Sequence, residues 1–252
     1  MIRLTLALIL ALATPVAAEE IVMGLSEDSV AITANFDGHE IIVFGAVKRD
    51  APVPEGSPLE VIVTISGPLT PVTVREKERI AGIWINTTAV KVSAAPSFYA
   101  VATTNPLSQI LTETEDLRHE ITVPRAIRAI GNNVANAGDF TDALIRIRAE
   151  EDVYRTLEST VGFDQETLFR THVDLPANLV EGIYIVKIFL TRDGVVVDDL
   201  STPITVEKVG LERWLFNLSR NWPFVYGALS LVIAGIAGWA ASAAAQALRR
   251  GS

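Results

Sequence analysis

The 252-residue sequence has no cysteine, only three histidines and fewer basic than acidic residues, 21 Lys and Arg against 30 Asp and Glu. The missing cysteines exclude a disulfide scaffold, a thiolate metal site and a cysteine nucleophile. His39, His119 and His172 stand far apart, and none sits in a spaced ligand motif such as H-E-x-x-H. No G-x-S-x-G elbow, P-loop or G-x-G-x-x-G occurs either. A net charge of −9 argues against sequence-independent nucleic-acid binding, which needs clustered cations to displace counterions. Glycine and proline stay near average usage, so the chain is neither collagen-like nor of low complexity. The residues assign no catalytic, cofactor-binding or metal-binding position.

Two apolar segments are present, one at each end. Met1–Ala18 reads as a secretory signal peptide: Arg3 is a short basic start, and Leu4–Ala13 is too short for a typical span. Val16-Ala17-Ala18 supplies small residues before a cut that would leave Glu19 first. Pro223–Leu248 holds no Asp, Glu, Lys, Arg or His. As a helix it is ~39 Å long against ~30 Å of hydrocarbon, so it predicts one transmembrane helix with some tilt. Trp214, Trp222 and Tyr226 gather at its start as interfacial aromatics do, and Arg249-Arg250 close it. Leu211, Trp214, Leu215, Leu218 and Trp222 share one helical face, which predicts an amphipathic juxtamembrane helix over 211–222. A cleaved signal followed by one span predicts a periplasmic ectodomain and a cytoplasmic tail over 249–252. The loop charges alone do not choose that orientation.

Between these ends, residues 19–209 read as mainly β: an immunoglobulin-like antiparallel β-sandwich with a helical insertion at about 106–165. Val30–Phe36, Glu40–Val47, Leu59–Ser66, Val72–Glu76 and Ile83–Asn86 are short apolar or alternating runs separated by Gly, Pro and Asp. The period then turns helical in Pro106–Glu120 and Asp139–Thr160. There Leu144, Ile147, Val153, Tyr154 and Leu157 form a stripe, and Asp139 is placed to cap. Strands return in Thr167–Val173, Gly182–Arg192, Val195–Val197 and Ile204–Glu207, with Asp193-Gly194 a tight-turn pair. One interrupted sandwich is preferred over two successive small domains, because the late strands would form a poor core alone.

Two features rise above this background. Arg118, Arg125, Arg128, Arg146 and Arg148 concentrate five guanidinium groups around the insertion of an acidic protein, a candidate contact for an oxyanion or an acidic partner. The competing expectation pairs each with a neighbouring Glu or Asp. In the span, Ser230, Ala234, Gly238 and Ser242 recur every four residues, a stripe along which another helix could approach closely. Glu113, Glu115 and Asp116 form an acidic turn, read as a solvated face.

The order of parts, with the stretches Gly82-Ile83-Trp84-Ile85-Asn86 and Pro96-Ser97-Phe98-Tyr99-Ala100-Val101-Ala102, resembles the Alph_Pro_TM transmembrane family of alphaproteobacteria. That resemblance covers essentially the whole mature chain. It implies a Gram-negative inner membrane and a periplasmic ectodomain, and it brings no catalytic residue to carry over. A loose association with sulfite-exporter-type permeases adds an expected accessory role beside a transporter. The expected function is a non-enzymatic, membrane-anchored periplasmic interaction module with a membrane-protein partner or self-association, no cofactor and no nucleic acid. The alternative is an anion- or solute-binding subunit of a transport system.

Overall fold

The computed structural model describes residues 19–33, 36–49, 56–130 and 137–250; the signal segment Met1–Ala18 lies outside the described residues. The described strands are, in order, β1 (Glu19–Leu25), β2 (Ser29–Ile32), β3 (His39–Arg49), β4 (Glu60–Ser66), β5 (Leu69–Ile80), β6 (Ile83–Pro96), β7 (Tyr99–Thr103), β8 (Arg128–Ile130), β9 (Tyr154–Leu157), β10 (Gly162–Asp164), β11 (Leu168–Leu175), β12 (Gly182–Arg192) and β13 (Val195–Lys208). The helices are α1 (Leu107–Ile110), α2 (Glu113–His119), α3 (Val123–Ala126), α4 (Ala137–Glu150), α5 (Leu211–Asn221) and α6 (Pro223–Arg250).

Period-two alternation builds the first unit. In β11 every second residue is buried, Phe169, Thr171, Val173 and Leu175, and Ile41, Val43 and Val47 do the same in β3. These strands form a four-stranded sheet in the order β1-β3-β11-β10. A six-stranded sheet runs β2-β13-β12-β4-β7-β9. Early and late strands therefore share both sheets: β3 pairs with β11, and β4 with β12. In the middle of the larger sheet Val61–Ile65 of β4 is buried throughout, so both faces are covered, which explains why this run is continuously apolar. Val61, Val63 and Ile65 share a face with Leu190, Ile188 and Val186 of β12. The opposite face, with Thr64, Tyr99 and Phe189, lies under the helical insertion.

Polar contacts tie the two sheets at an edge. Glu19 of β1 accepts from Arg49 Nε at 2.8 Å and from Arg192 Nη2 of β12 at 2.9 Å. The Ile21 amide donates to the Asp198 carboxylate of β13 at 2.9 Å.

The insertion departs from the sequence expectation in three places. Pro106–Glu120 holds two short helices, α1 and α2, rather than one. The second helical run stops at Glu150, and Tyr154–Leu157 becomes β9, parallel to β7 with Tyr99 opposite Tyr154. Val153 and Tyr154 are buried at this sheet edge, Leu144 packs on the third sheet and Ile147 is exposed, so these residues do not form one helical stripe. Asp139 falls in the first turn of α4, not at its cap.

A third sheet, β5-β6-β8, is dominated by one long hairpin. Its base packs Val74, Val90, Val92 and Ala95 against Phe140 and Leu144 of α4, a small core of its own. Beyond that base the strands continue to a two-residue turn at Ala81-Gly82, both with positive φ (51° and 87°), the backbone that a tight hairpin turn of this hand requires.

The second unit comprises residues 31–35 and 207–252, hence the helices α5 and α6. The apolar part of α6, Pro223–Ser242, is long and hydrophobic enough to cross a membrane, and none of it is buried. Proline opens it at the first helical position, where its missing N–H costs nothing.

Candidate functional site

Helix α2 places its acidic turn inward. Glu115 and Asp116 are buried, whereas Glu113 stays exposed, which corrects the expectation of a solvated face. Each buried carboxylate has partners that local sequence does not reveal. Asp116 accepts from the Thr122 amide and the Thr122 hydroxyl, both at 2.8 Å, and so shapes the turn between α2 and α3. Glu115 accepts from Arg118 at 2.6 Å and from the Val196 amide of β13 at 3.3 Å, with His119 Nε2 at 3.5 Å. Tyr99 holds the same turn from beneath, its hydroxyl donating to the Ile121 carbonyl at 2.9 Å. Burial, together with the Asp116 and Glu120 carboxylates, pushes the Tyr99 phenol well above its ordinary range, so it remains a donor.

The arginines singled out by sequence are distributed over several elements. Arg118 pairs with Glu115, Arg125 lies 3.5 Å from Glu113 and 3.7 Å from Asp116, and Arg148 lies 3.2 Å from Glu151. Arg146 borders a shallow hollow beside Glu76, Lys77 and Asp139. Arg128 opens β8, and its side chain lies outside the described ones. The positive charge of Arg118, Arg125 and Arg148 is therefore met by carboxylates of the insertion itself. The three histidines likewise sit against glutamates: His39 by Glu27, His172 by Glu40, His119 by Glu115. Among the described residues no group of three or more His, Asp or Glu could hold a metal ion.

A half-open cleft of about 400 Å³ separates the insertion from the larger sheet. Thr64, Ser66 and Tyr99 line it from β4 and β7, Ile183, Ile185, Lys187 and Phe189 from β12, and His119, Glu120 and Ala126 from the insertion. The His119 ring stands edge-on to Phe189 at 5.6 Å. Lys187 is exposed and has no counter-ion among the described residues. The arrangement sets the Lys187 ammonium beside apolar walls and the Glu120 carboxylate, while the Tyr99 hydroxyl is already committed to the Ile121 carbonyl. No local pattern announces it, because Lys187 looks like any outward-facing strand residue.

In α6 the small-residue stripe lies open. Ser230 donates to the Tyr226 carbonyl at 2.9 Å, so its hydroxyl is satisfied within its own helix, as a hydrocarbon environment demands. A side-chain carbon built at Gly238 would meet no atom within 4 Å. Just before this helix, Trp214 and Trp222 are exposed, and Arg220 lies over the Phe216 ring at 5.8 Å.

A β-rich first unit, one apolar C-terminal helix and aromatics at its entrance agree with the family comparison. Residues 20–247 match the family described as "Putative transmembrane protein (Alph_Pro_TM)". The chain belongs to this family. No curated protein matches it.

The two stretches that carry the Alph_Pro_TM resemblance have opposite surroundings. Pro96–Ala102 is core: Phe98 and Tyr99 are buried, and Phe98 packs against Tyr184 with ring centroids 6.2 Å apart. Gly82–Asn86 is the far end of the β5–β6 hairpin, with Ile83 and Trp84 about two-thirds exposed, at 65% and 67%.

Proposed function

We propose that this Alph_Pro_TM chain is a membrane-anchored accessory module without catalytic activity of its own. Met1–Ala18 exports the chain and is removed, the β unit lies in the periplasm, and α6 holds it in the inner membrane of a Gram-negative cell. The contact with a membrane-protein partner, a transporter or a second copy, is made by α6 along Ser230, Ala234, Gly238 and Ser242. The observation that supports this is the open stripe itself: small side chains on one face, with the Ser230 hydroxyl already bonded inside the helix. In a bilayer such a face permits close helix approach, where dispersion contacts supply the association energy.

The experiment is capture of the full-length chain from detergent-solubilised membranes. A stoichiometric membrane protein, or a second tagged copy, is expected to accompany it. A monomer with no partner after mild crosslinking before solubilisation would contradict the proposal.

A second reading, an anion-binding subunit of a transport system, is supported by the cleft around Lys187 rather than by the arginines. An unpaired ammonium beside Ile185 and Phe189 would bind such an anion more strongly than in water, since water competes less beside apolar walls.

A further inference from the structure

The β5–β6 hairpin continues well past the point where anything supports it. Among the described residues, strand β8 pairs with Val92 and Ala94, and the helix α4 packs on the base and borders the ribbon as far as Lys77. From Arg75 to Thr87 every residue is exposed, on both faces of a two-stranded ribbon. A solvent-facing ribbon of this kind would ordinarily be polar to its end. This one is polar only in its stem: Ile80, Ile83, Trp84 and Ile85 crowd the turn, exposed by 48%, 65%, 67% and 38%.

The register sorts these residues. Ile80 faces Ile83, Arg79 faces Trp84, Glu78 faces Ile85 and Lys77 faces Asn86. Because direct partners share a face, Trp84 lies with Arg79 and Lys77, and the three isoleucines lie together on the other side. The turn thus carries Ile80, Ile83 and Ile85 on one face, with Glu78 opposite Ile85, and Trp84 on the other, with Arg79 opposite it and Lys77 one step behind.

We propose that this arm is a lipid anchor, its tip immersed in the headgroup–acyl boundary of a phospholipid bilayer with anionic headgroups. Three features favour lipid over a protein groove. The tip is a convex wedge with large apolar side chains on both faces, and a bilayer surrounds a wedge whereas a groove covers one side. Trp84 beside Lys77 and Arg79 is the pairing that places a ring at headgroup level and cations on phosphates. That complementarity is local, since the chain as a whole carries −9 and would be repelled by the same surface. Depth fits as well. At roughly 3.3 Å per residue, Ile80 to Lys77 spans about 10 Å, the immersion typical of interfacial elements. Headgroups and water at that level still serve the unpaired edge amides of the ribbon, so closure into a barrel is not required. Because α6 tethers the chain to a membrane, even weak insertion is raised by effective concentration. The inference does not depend on whether α6 packs against a partner.

The absence of cysteine makes the test clean. Full-length protein with Ile83→Cys carries a nitroxide and is reconstituted into vesicles of phosphatidylethanolamine and phosphatidylglycerol. Collision with oxygen, which concentrates in lipid, is compared with collision with a water-soluble nickel chelate. The label at 83 should favour oxygen several-fold more than a label at Lys91→Cys near the base, and Ile80→Cys should agree with Ile83→Cys. Charge reversal by Lys77→Glu with Arg79→Glu should lower that preference and leave the near-ultraviolet circular dichroism unchanged. A label at 83 as open to nickel as the one at 91 would overturn the proposal. So would shielding from both reagents, which would mean that another protein molecule covers the tip.

Discussion

Replacing Glu19 by glutamine removes the charge that ties the two sheets together at β1, and its cost can be worked from the geometry. The Glu19 side chain is 5% exposed and accepts from Arg49 at 2.8 Å and Arg192 at 2.9 Å. Breaking a buried pair by removing one partner costs about 3–5 kcal/mol, because the other charge is left uncompensated. Two circumstances lower that here: Arg192 is one-fifth exposed, and Arg49 keeps Glu166 at 3.9 Å. A loss of about 2–3 kcal/mol is expected, in line with two hydrogen bonds to charged groups partly replaced by water. Burial alone would raise the Glu19 carboxyl, but the Arg192 and Arg49 guanidinium groups outweigh it and hold the pKa below its ordinary 4.5. A carboxyl lowered on folding stabilises the native state above its unfolded value and loses that contribution as pH falls through the folded one. The difference between wild type and Glu19→Gln should therefore be constant from neutral pH to about pH 5.5 and shrink below about 4.5. Urea titration of the detergent-solubilised full chain, followed by near-ultraviolet circular dichroism at several pH values, measures this. Equal midpoints at pH 7, or a difference that grows on acidification, would refute the reasoning.

Other consequences follow from the same structure. Leu144 is buried between α4 and the hairpin base, so Leu144→Ala should cost about 2–3 kcal/mol and accelerate amide exchange in β5 and β6 more than in β12. Equal acceleration everywhere would mean that the base is not a separate small core. Millimolar benzoate or sulfate should raise the melting temperature by mass action, and Lys187→Ala should remove the shift, read by thermal denaturation of the full chain. A phosphatase fused after Ser252 should be inactive and one inserted after Val209 active, because only export activates it; activity at Ser252 would contradict a single outward-to-inward span.

Much of the β framework is legible in the residues. Gly182–Arg192 appears in the structure with the boundaries its apolar run and the Asp193-Gly194 turn suggest, and both turn residues have positive φ. The β-branched run in β4, apolar but for Thr64, reads as a strand and is one, buried from Val61 to Ile65. What stays hidden depends on distant partners. Strand β9 and the residue before it carry a helical spacing, Val153, Tyr154 and Leu157, yet β9 pairs with β7 more than fifty residues earlier, and tertiary pairing overrides local period. The full length of β5 is masked by Arg75–Arg79, five charged residues in succession, which carry no alternation to read. Burial of Glu115 is invisible because one of its donors is the amide of Val196, eighty-one positions away. For the same reason the sequence assembles the five arginines into a candidate site, while the structure meets three of them with carboxylates close along the chain. Gly82–Asn86 reads simply as a strand until the structure shows that nothing in the β unit covers it among the described residues.

Whether α6 is a passive tether or a specific contact decides the account. A tether needs only length and apolarity, so leucine anywhere along it should be tolerated. A packed pair needs close backbone approach, and leucine at Gly238 would push the helices apart and forfeit about 1–2 kcal/mol of contacts. Ala240 lies about 160° around the helix from Gly238 and gives the matched control. Crosslinking in intact membranes, with a cysteine introduced at Ser242, is expected to fall with Gly238→Leu and to survive Ala240→Leu. Equal crosslinking in the two variants, at equal protein levels, would contradict a partner on the Ser230–Ala234–Gly238–Ser242 face.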